Sequence, residues 1–318
     1  MSSDVTAAAP PSARIRTEAP AKAAVMSVYD YFLYAITVFA WSTSWIALKF
    51  QIGVVAPEVS LVWRFLISAV FIWGWVLVTR QPARFAAGAH LRFAVMGATL
   101  FSLNFLMMYY AGATLPSGLL SVVFALTAVV TPLLGVCFLG TRLTLPLIGG
   151  GIMGVIGVAL MFWPRIAGSN LDMGALKGLG FALSSVGFFS AGSIVSANAQ
   201  RLRIPVMSAN AWGMTYGVAL MAALAFLRGD TFAINLSPGY LGSLVFLAIV
   251  SSGLAFWSFL TLIGRIGSER AGYAAVMYPV FALMISTVFE DYRWTVVAIV
   301  GLGLALAGNV LVMRKPCA

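Results

Sequence analysis

Aromatic and hydroxyl side chains share one helical face in the segment Trp41-Ser-Thr-Ser-Trp45-Ile-Ala-Leu-Lys49. Trp41, Ser44 and Trp45 are spaced by three and four residues, so they line one side of a helix. Two indole rings and a hydroxyl group on such a face can stack on, and hydrogen-bond to, a small amphipathic solute. The alternative interpretation is an interfacial aromatic belt. Trp41 lies too deep in the segment for a belt, so we favour the substrate contact.

Two cationic side chains lie in or beside the same apolar stretches. Lys49 ends the first stretch, where it can extend to the lipid headgroups or pair with Glu58 at an outer gate. Arg64 lies about two turns into the next stretch, where a lone arginine costs at least roughly 2.5–3.5 kcal/mol on insertion scales. It can attract a substrate carboxylate or clamp neighbouring helices, and we slightly favour the clamp.

Other apolar stretches contribute further candidates. Asn104 is equally consistent with a substrate contact and with a hydrogen bond between helices, which is worth about 0.6 kcal/mol on average. Pro279 interrupts the hydrogen bonds of its helix, so Tyr278-Pro279 is a candidate hinge and lining. The candidate substrate-binding residues are Trp41, Ser44, Trp45, Asn104, Ser121, Trp257, Tyr273 and Tyr278, and the candidate gating or carboxylate contacts are Lys49, Arg64 and Pro279.

The composition indicates which elements must carry these residues. The 318-residue chain is 61% hydrophobic and only 9% charged, with a mean hydropathy of +0.99, whereas about a quarter of the residues in a soluble domain are charged. Its apolar runs have the length, about 20 residues, that a helix needs to cross the hydrocarbon core of a bilayer. They lack the alternating polarity of membrane β-strands. We therefore predict an all-α polytopic membrane protein.

An internal repeat is indicated by matching glycine positions. Gly150 and Gly157 correspond to Gly301 and Gly308, half a chain away. Five spans per copy is an odd number, so the two copies must have opposite orientations, as in many secondary transporters. We predict ten transmembrane helices in two inverted five-helix repeats around a central cavity. The repeats are 29–163 and 174–313, the tails are 1–28 (disordered, cytoplasmic) and 314–318 (cytoplasmic), and the spans are 29–49, 58–79, 92–112, 115–138, 144–163, 174–197, 207–227, 239–262, 270–289 and 294–313.

The distribution of basic residues predicts the orientation. Most lysines and arginines outside the predicted spans lie on the side of the N-terminus, which by the positive-inside rule places both termini in the cytoplasm. The same bias accounts for the net charge of +10, so no nucleic-acid partner is expected. The expected partners are the lipid bilayer and a small-molecule substrate; the oligomeric state is left open, and a monomer is compatible with the sequence.

The residue counts limit the chemistry. His90 is the only histidine, and Cys137 and Cys317 are the only cysteines, so we expect no metal site, disulfide framework or cofactor. The glycine-rich runs lie inside hydrophobic spans and fail the context of a nucleotide-binding loop. No carboxylate falls inside a span; Asp30 and Glu58 lie at span ends. Proton antiport and enzymatic activity are therefore disfavoured.

Several motifs, in their order and spacing, resemble the EamA-type branch of the drug/metabolite transporter superfamily. The matching residues are Trp41–Lys49, Pro57 with Arg64, Gly140-Thr141-Arg142-Leu143, Arg265–Tyr273, and Tyr278-Pro279-Val-Phe-Ala282. Two residues depart from the family pattern. Thr141 replaces the usual acidic residue, and Ala128 replaces an expected proline, with Pro132 one turn later. The segment 289–294 is similar to bacterial amino-acid exporters of the YddG type.

The resemblance implies a ten-helix basket in the bacterial inner membrane that exports small metabolites. It also implies that spans one to four and six to nine line the cavity, with spans five and ten as peripheral supports. Few fixed charges favour neutral or zwitterionic solutes, most of all aromatic or apolar amino acids, carried by alternating access. The alternatives are a broad exporter of drugs or other metabolites and, less favoured, an intramembrane enzyme or a sensor or scaffold.

Overall fold

A computed structural model describes residues 26–166, 172–266, 271 and 274–313 of the chain, and these are helical with short connections and no strand among them. Two of the helices contain a π-helical segment, and each segment is counted as part of the helix in which it lies. The helices are α1 Val28–Lys49, α2 Pro57–Val78, α3 Ala87–Gly112, α4 Ser117–Leu139, α5 Leu145–Ile166, α6 Met173–Arg201, α7 Val206–Arg228, α8 238–266, α9 Ala274–Phe289 and α10 Val296–Met313.

The predicted spans coincide with these helices to within a few residues, and residues 270, 272 and 273 of the ninth span lie outside the described residues. Within the described ranges, nine helices are long and apolar enough to cross a membrane, and Val276–Phe289 forms a shorter apolar helix. The all-helical membrane architecture is thus confirmed, and the tenth span stays a prediction. Residues 1–25 and 314–318 of the predicted tails lie outside the described residues.

Local signals in the sequence explain where several helices begin and end. Ser27 caps α1: its hydroxyl accepts from the backbone N–H of Asp30 at 3.2 Å, and the Asp30 carboxylate accepts from the Ser27 N–H at 2.9 Å. Pro57 opens α2 at a position whose N–H has no partner within the helix. Gly140 and Gly229 end α4 and α7 in the left-handed conformation that glycine adopts most easily.

The helices α5 and α10 contact each other far more extensively than they contact the rest of the bundle. Their glycines meet in reciprocal pairs. A Cβ atom on Gly150 would lie 2.5 Å from the carbonyl oxygen of Gly308, and one on Gly308 equally close to that of Gly150; Gly157 and Gly301 behave in the same way. These glycines therefore form a surface for close helix packing.

The remaining helices pack in corresponding pairs. Helix α1 packs against α8 and α9, and helix α6 packs against α3 and α4. Helix α2 packs along α7, and α4 along α9. The end of the bundle where α1 begins is called the N-terminal end, and the end where α1 terminates is called the far end.

Two helices contain π-helical segments, in which the backbone makes a wider turn than in an α-helix. They are Thr99–Leu103 in α3 and Phe246–Leu254 in α8. Each is tied to a neighbouring helix by a serine: Ser102 donates to the carbonyl of Gly217 on α7 at 3.1 Å, and Ser68 of α2 donates to the carbonyl of Ala248 at 3.1 Å. Neither segment is expected from the hydrophobic pattern.

Candidate functional site

The indole of Trp41 lies in an aromatic cluster between α1, α8 and α9. Its ring centroid is 5.0 Å from that of Phe259, 6.1 Å from that of Phe256 and 6.4 Å from that of Tyr278, which meets it edge-on. Trp41 is half-buried, whereas Tyr278 and the following Pro279 are buried inside α9. The structure thus brings together Trp41, Tyr278 and Pro279 from the predicted site.

Trp45, one turn further along the same face, reaches a different pair of helices. Its ring centroid is 5.4 Å from that of Phe124 on α4, which in turn is 4.9 Å from that of Phe189 on α6. Together the two clusters form an aromatic wall that runs from α8 and α9 across α1 to α4 and α6. We call this the aromatic wall below, after its residues Trp41, Phe256, Phe259, Tyr278, Trp45, Phe124 and Phe189.

Ser44 lies on α1 between the two indoles and is half-buried. Its hydroxyl donates to the carbonyl of Trp41 at 2.8 Å. A hydroxyl oxygen that donates once still has lone pairs with which to accept. Ser44 can therefore accept a hydrogen bond from the amino group of a solute lying against the wall.

Asn104 and Ser121 are fully buried, and other protein groups occupy their polar atoms. Ser185 of α6 donates to the side-chain oxygen of Asn104 at 2.5 Å, and the Asn104 amide donates to the carbonyl of Leu100 at 3.2 Å. Ser121 donates to the carbonyl of Gly118 at 2.6 Å. For Asn104, which was equally consistent with both roles, this geometry favours the bond between helices.

Trp257 and Tyr273 complete the predicted substrate-binding set. Trp257 is half-buried and packs against a small apolar cluster of Leu33, Leu262 and Ala271 near the N-terminal end. Tyr273 lies outside the described residues. Phe259 of the aromatic wall packs against the same cluster, so Trp257 lies beside the N-terminal edge of the wall without a ring contact to Trp41 among the described residues.

Lys49 does not pair with Glu58, so that prediction is wrong. Its ammonium group donates to the carbonyls of Gly112 and Leu115 at 2.6 and 3.0 Å and lies 3.5 Å from the carboxylate of Glu290. The Glu290 carboxylate also accepts from Ser117, through its N–H at 2.8 Å and its hydroxyl, and from the Ser286 hydroxyl at 2.8 Å. This cluster joins the ends of α1 and α9 to the start of α4.

Glu58 is held elsewhere, in a second polar cluster at the far end. It is 1% exposed, pairs with Arg228 of α7 and accepts from the Tyr110 hydroxyl of α3 at 2.7 Å. Arg228 also donates to the Tyr110 hydroxyl at 2.6 Å. Sequence reasoning missed Glu290, Arg228 and Tyr110 as site residues. Glu290 and Arg228 each lie at the end of a span, but their partners depend on which helices are neighbours in the fold.

The N-terminal end has its own polar links. Arg265 of α8 pairs with Asp30 of α1 and donates to the Ser27 hydroxyl at 3.3 Å. Arg201, at the end of α6, donates to the carbonyl of Leu139, at the end of α4, at 3.2 Å. Both ends of the bundle therefore carry contacts that tie helices together.

Arg64 is enclosed by the helices around it. It is 3% exposed, and its guanidinium carbon lies 4.4 Å from the ring centroid of Phe105 and 5.4 Å from that of Phe65. The hydroxyl of Tyr109 is its polar neighbour. Among the described residues, none of the contacts of Arg64 involves Trp41 or Trp45, so it stands apart from the aromatic wall.

Two cavities in the described part of the chain lie at the edge of the bundle. One of about 290 Å³ is bordered by Pro116, Met161 and the loop from Glu290 to Arg293, and an apolar groove of about 440 Å³ runs between α4 and α5. Neither touches the aromatic wall, so the central cavity stays a prediction. No three His, Cys, Asp or Glu side chains in the described residues form a group that could hold a metal ion.

Comparison with known proteins gives a consistent match. The model of the EamA-like transporter family matches twice, over residues 29–163 and 176–314. An uncharacterized transporter of Bacillus subtilis (strain 168), YoaV, is 21% identical over 269 residues, which cover 84% of this chain and 91% of YoaV. An uncharacterized transporter of Buchnera aphidicola subsp. Schizaphis graminum (strain Sg) is 28% identical over 101 residues, which cover 32% and 33% of the two chains.

A solved crystal structure shares the fold. It superposes with a TM-score of 0.63 at 18% identity and covers 90% of this chain and 96% of the other. The likeness in structure and the two family matches span almost the whole described chain. The chain belongs to the EamA-like transporter family.

Proposed function

We propose that the protein is a secondary transporter that exports small neutral or zwitterionic metabolites, most of all amino acids with aromatic or apolar side chains. The observation that carries this proposal is the aromatic wall on α1, with the Ser44 hydroxyl between its two indoles. Membership in a family of transporters supports transport over catalysis.

The chemistry of the wall favours this substrate class. Its ring contacts are edge-on or tilted contacts between side chains, the arrangement that aromatic rings prefer. The ring of a solute can replace one of these partners without leaving any polar group unpaired. Because the wall itself contains no charged side chain, it suits a solute whose charges cancel better than a nucleotide or a phosphate.

Alternating access needs two halves that move against each other, and we assign these to α1–α5 and α6–α10 in opposite orientations. In such a repeat, each helix corresponds to the helix five places along the chain. The packed pairs α1–α8 and α1–α9 then correspond to α6–α3 and α6–α4, which also pack together. The pairs α2–α7, α4–α9 and α5–α10 map onto themselves. This pattern supports an inverted repeat of ten spans.

Three further observations support the same assignment. The π-helical segments lie in α3 and α8, which are counterparts. The glycine contacts between α5 and α10 are reciprocal. The family model matches each half separately. In this arrangement the substrate lies near the middle of the membrane, where the two halves meet along α1 and α6.

The polar clusters then act as gates. Opening the far end requires separation of Lys49 from Glu290 and of Glu58 from Arg228, and opening the N-terminal end requires separation of Asp30 from Arg265. The distribution of basic residues supports a bacterial inner-membrane protein with both termini in the cytoplasm, so the far end faces outward.

Transport by purified protein tests the proposal. Proteoliposomes loaded with labelled phenylalanine, leucine, glutamate or lysine should show the fastest flux for phenylalanine and leucine, with the same rate with and without a pH gradient. The variant Trp41→Ala should lose most of the phenylalanine flux and keep its leucine flux. Trp163→Ala removes an exposed, lipid-facing indole of α5 and should transport as the wild type does. Flux of cationic dyes with no flux of any amino acid would favour a drug exporter and reject the proposal.

A further inference from the structure

Arg64 carries a positive charge into the protein interior with no carboxylate to balance it. Its side chain is 3% exposed, and it forms no ion pair in the part of the chain that the structure describes. The carboxylates of Asp30, Glu58 and Glu290 are engaged with Arg265, Arg228 and Lys49 respectively. A buried guanidinium without a counter-charge is strongly unfavourable, so something else must balance Arg64.

The polar groups next to Arg64 add further hydrogen-bond donors, so that donors outnumber acceptors in this cluster. The Tyr109 hydroxyl, which neighbours the guanidinium, donates to the side-chain oxygen of Gln51. Gln51 and Tyr109 are 0% and 1% exposed. The amide nitrogen of Gln51 and the Nε atom of Arg64 are both buried without a hydrogen-bond acceptor. A buried donor without an acceptor costs its full desolvation penalty, and this cluster contains two.

The described surroundings supply too few acceptors: the Tyr109 hydroxyl is a hydrogen-bond partner of the Arg64 guanidinium, but the Nε atom of Arg64 is left without one. The rings of Phe105 and Phe65 cover the guanidinium and offer only their π faces, which partly offset its charge. The nearby Tyr240 hydroxyl is already paired with the Ser60 hydroxyl at 3.0 Å. The cluster thus has one positive charge, two donor nitrogens without an acceptor and apolar walls. A small anion would supply both the negative charge and the acceptors that it lacks.

We propose that Arg64 and Gln51, with Tyr109 between them, bind a small monovalent anion. One negative charge matches the single guanidinium, and the near-complete burial limits the ligand to a halide or to a single carboxylate group. The site lies at the far end, because Gln51 belongs to the connection between α1 and α2. A bound anion therefore joins that connection to α2 and α3 and stabilises the far end of the bundle.

Thermal unfolding of the purified full-length protein in detergent tests the site. Chloride is replaced by gluconate at constant ionic strength, and bromide, acetate or phenylalanine is then titrated in separate arms. The wild type should show a saturable rise of several degrees in unfolding temperature with at least one of these probes. A response to bromide assigns an inorganic anion, and a response to acetate or phenylalanine without bromide assigns a carboxylate. The bromide arm requires no transport, so the site can fail or succeed independently of the proposed function.

Matched variants identify the residues responsible. Arg64→Met should abolish the response, and Arg84→Gln, which removes an exposed arginine in the connection between α2 and α3, should leave it unchanged. Because Arg64→Met can fail to fold, Gln51→Leu provides a milder test: it should raise the concentration at half-maximal response by about tenfold. No saturable response in the wild type, or one that is equal in Gln51→Leu and Arg84→Gln, would overturn the proposal.

Discussion

The two ends of the bundle carry contacts between helices that differ in strength. At the far end, Lys49 reaches the carboxylate of Glu290, which is also held by two serines. In the proposed repeat, α6 is the counterpart of α1, and α4 is the counterpart of α9. The corresponding contact at the N-terminal end is therefore the one between Arg201 and the Leu139 carbonyl. One contact joins two charges in a partly buried network, and the other is an exposed arginine on a neutral acceptor.

This difference coincides with a departure from the family pattern. The resemblance implies an acidic residue where Thr141 stands, two residues after the last residue of α4, and Glu290 directly follows the last residue of α9. At these two corresponding positions, only the far end therefore carries a carboxylate. Since charged hydrogen bonds in a protected network are stronger than exposed ones, we expect the closed far end to be the more stable of the two gates.

The largest effect should come from Glu290→Gln, which leaves Lys49 without its counter-charge. Loss of roughly 1.5 kcal/mol from the closed far end should raise its opening about tenfold. Opening is measured by labelling Ser44→Cys with a membrane-impermeant maleimide added outside cells, in a background of Cys137→Ala and Cys317→Ala. The neighbouring Asp291→Asn removes an equal charge from an exposed position and is the control. Equal labelling of the two variants would contradict a gate at Glu290.

Asp30→Asn should have a smaller effect in the opposite direction. It weakens the link to Arg265 at the N-terminal end, where the arginine side chain is 44% exposed, and exposed pairs contribute roughly 0.2–1 kcal/mol. External labelling of Ser44→Cys should fall by about threefold, since roughly 0.7 kcal/mol now favours opening on the other side. Ser27 still caps α1, and the side-chain oxygen of Asn at position 30 can still accept from the Ser27 N–H, so helix content by circular dichroism should stay the same. A rise in labelling would mean that the pair does not close this end.

The smallest effect should come from Thr141→Glu, which restores the acidic residue implied by the family pattern. A new exposed pair with Arg201 should strengthen closure of the N-terminal end by roughly 0.4 kcal/mol, raising external labelling by about twofold. The variant Thr141→Gln has the same shape without the charge and should behave as the wild type. A response to Gln equal to that of Glu would show that charge at this position is irrelevant.

Long-range geometry accounts for most of what the sequence could not predict. Helix positions follow from local length and hydrophobicity and were predicted. The matching glycines of α5 and α10 were recognised as a repeat, but the contact between these two helices was not predicted. The shared face of Trp41 and Trp45 was also predicted, but not that Trp41 contacts rings of α8 and α9 while Trp45 contacts a ring of α4. The pairing of Lys49 with Glu58 was inferred from nearness in sequence, and it failed because Glu290 and Arg228 come from distant helices.

The π-helical segments had no recognisable sequence signal. The hydrogen bonds of a π-helix join residues five apart, and whether they form depends on what the helix packs against. Thr99–Leu103 and Phe246–Leu254 therefore look like ordinary apolar sequence. The serines next to them, Ser102 and Ser68, were equally ambiguous, because small hydroxyl residues in membrane helices usually bond within their own helix. Here both donate to a carbonyl of another helix, and Ser68 also donates to the carbonyl of Arg64 in its own helix at 2.9 Å.

These wide turns have a consequence for how the bundle is divided. The first part of α3, before the π-helical segment, packs mainly on α7, and the part after it packs mainly on α6. In α8 the order is repeated, with α2 as the first neighbour and α1 as the principal one at the end. An extra residue in a turn rotates everything that follows, so each of these helices presents one face to one partner and another face to the next. Tightening the wide turn of α3 would therefore rotate its contact face for α6 relative to its contact face for α7. The same change in α8 would rotate its contact face for α1 relative to that for α2.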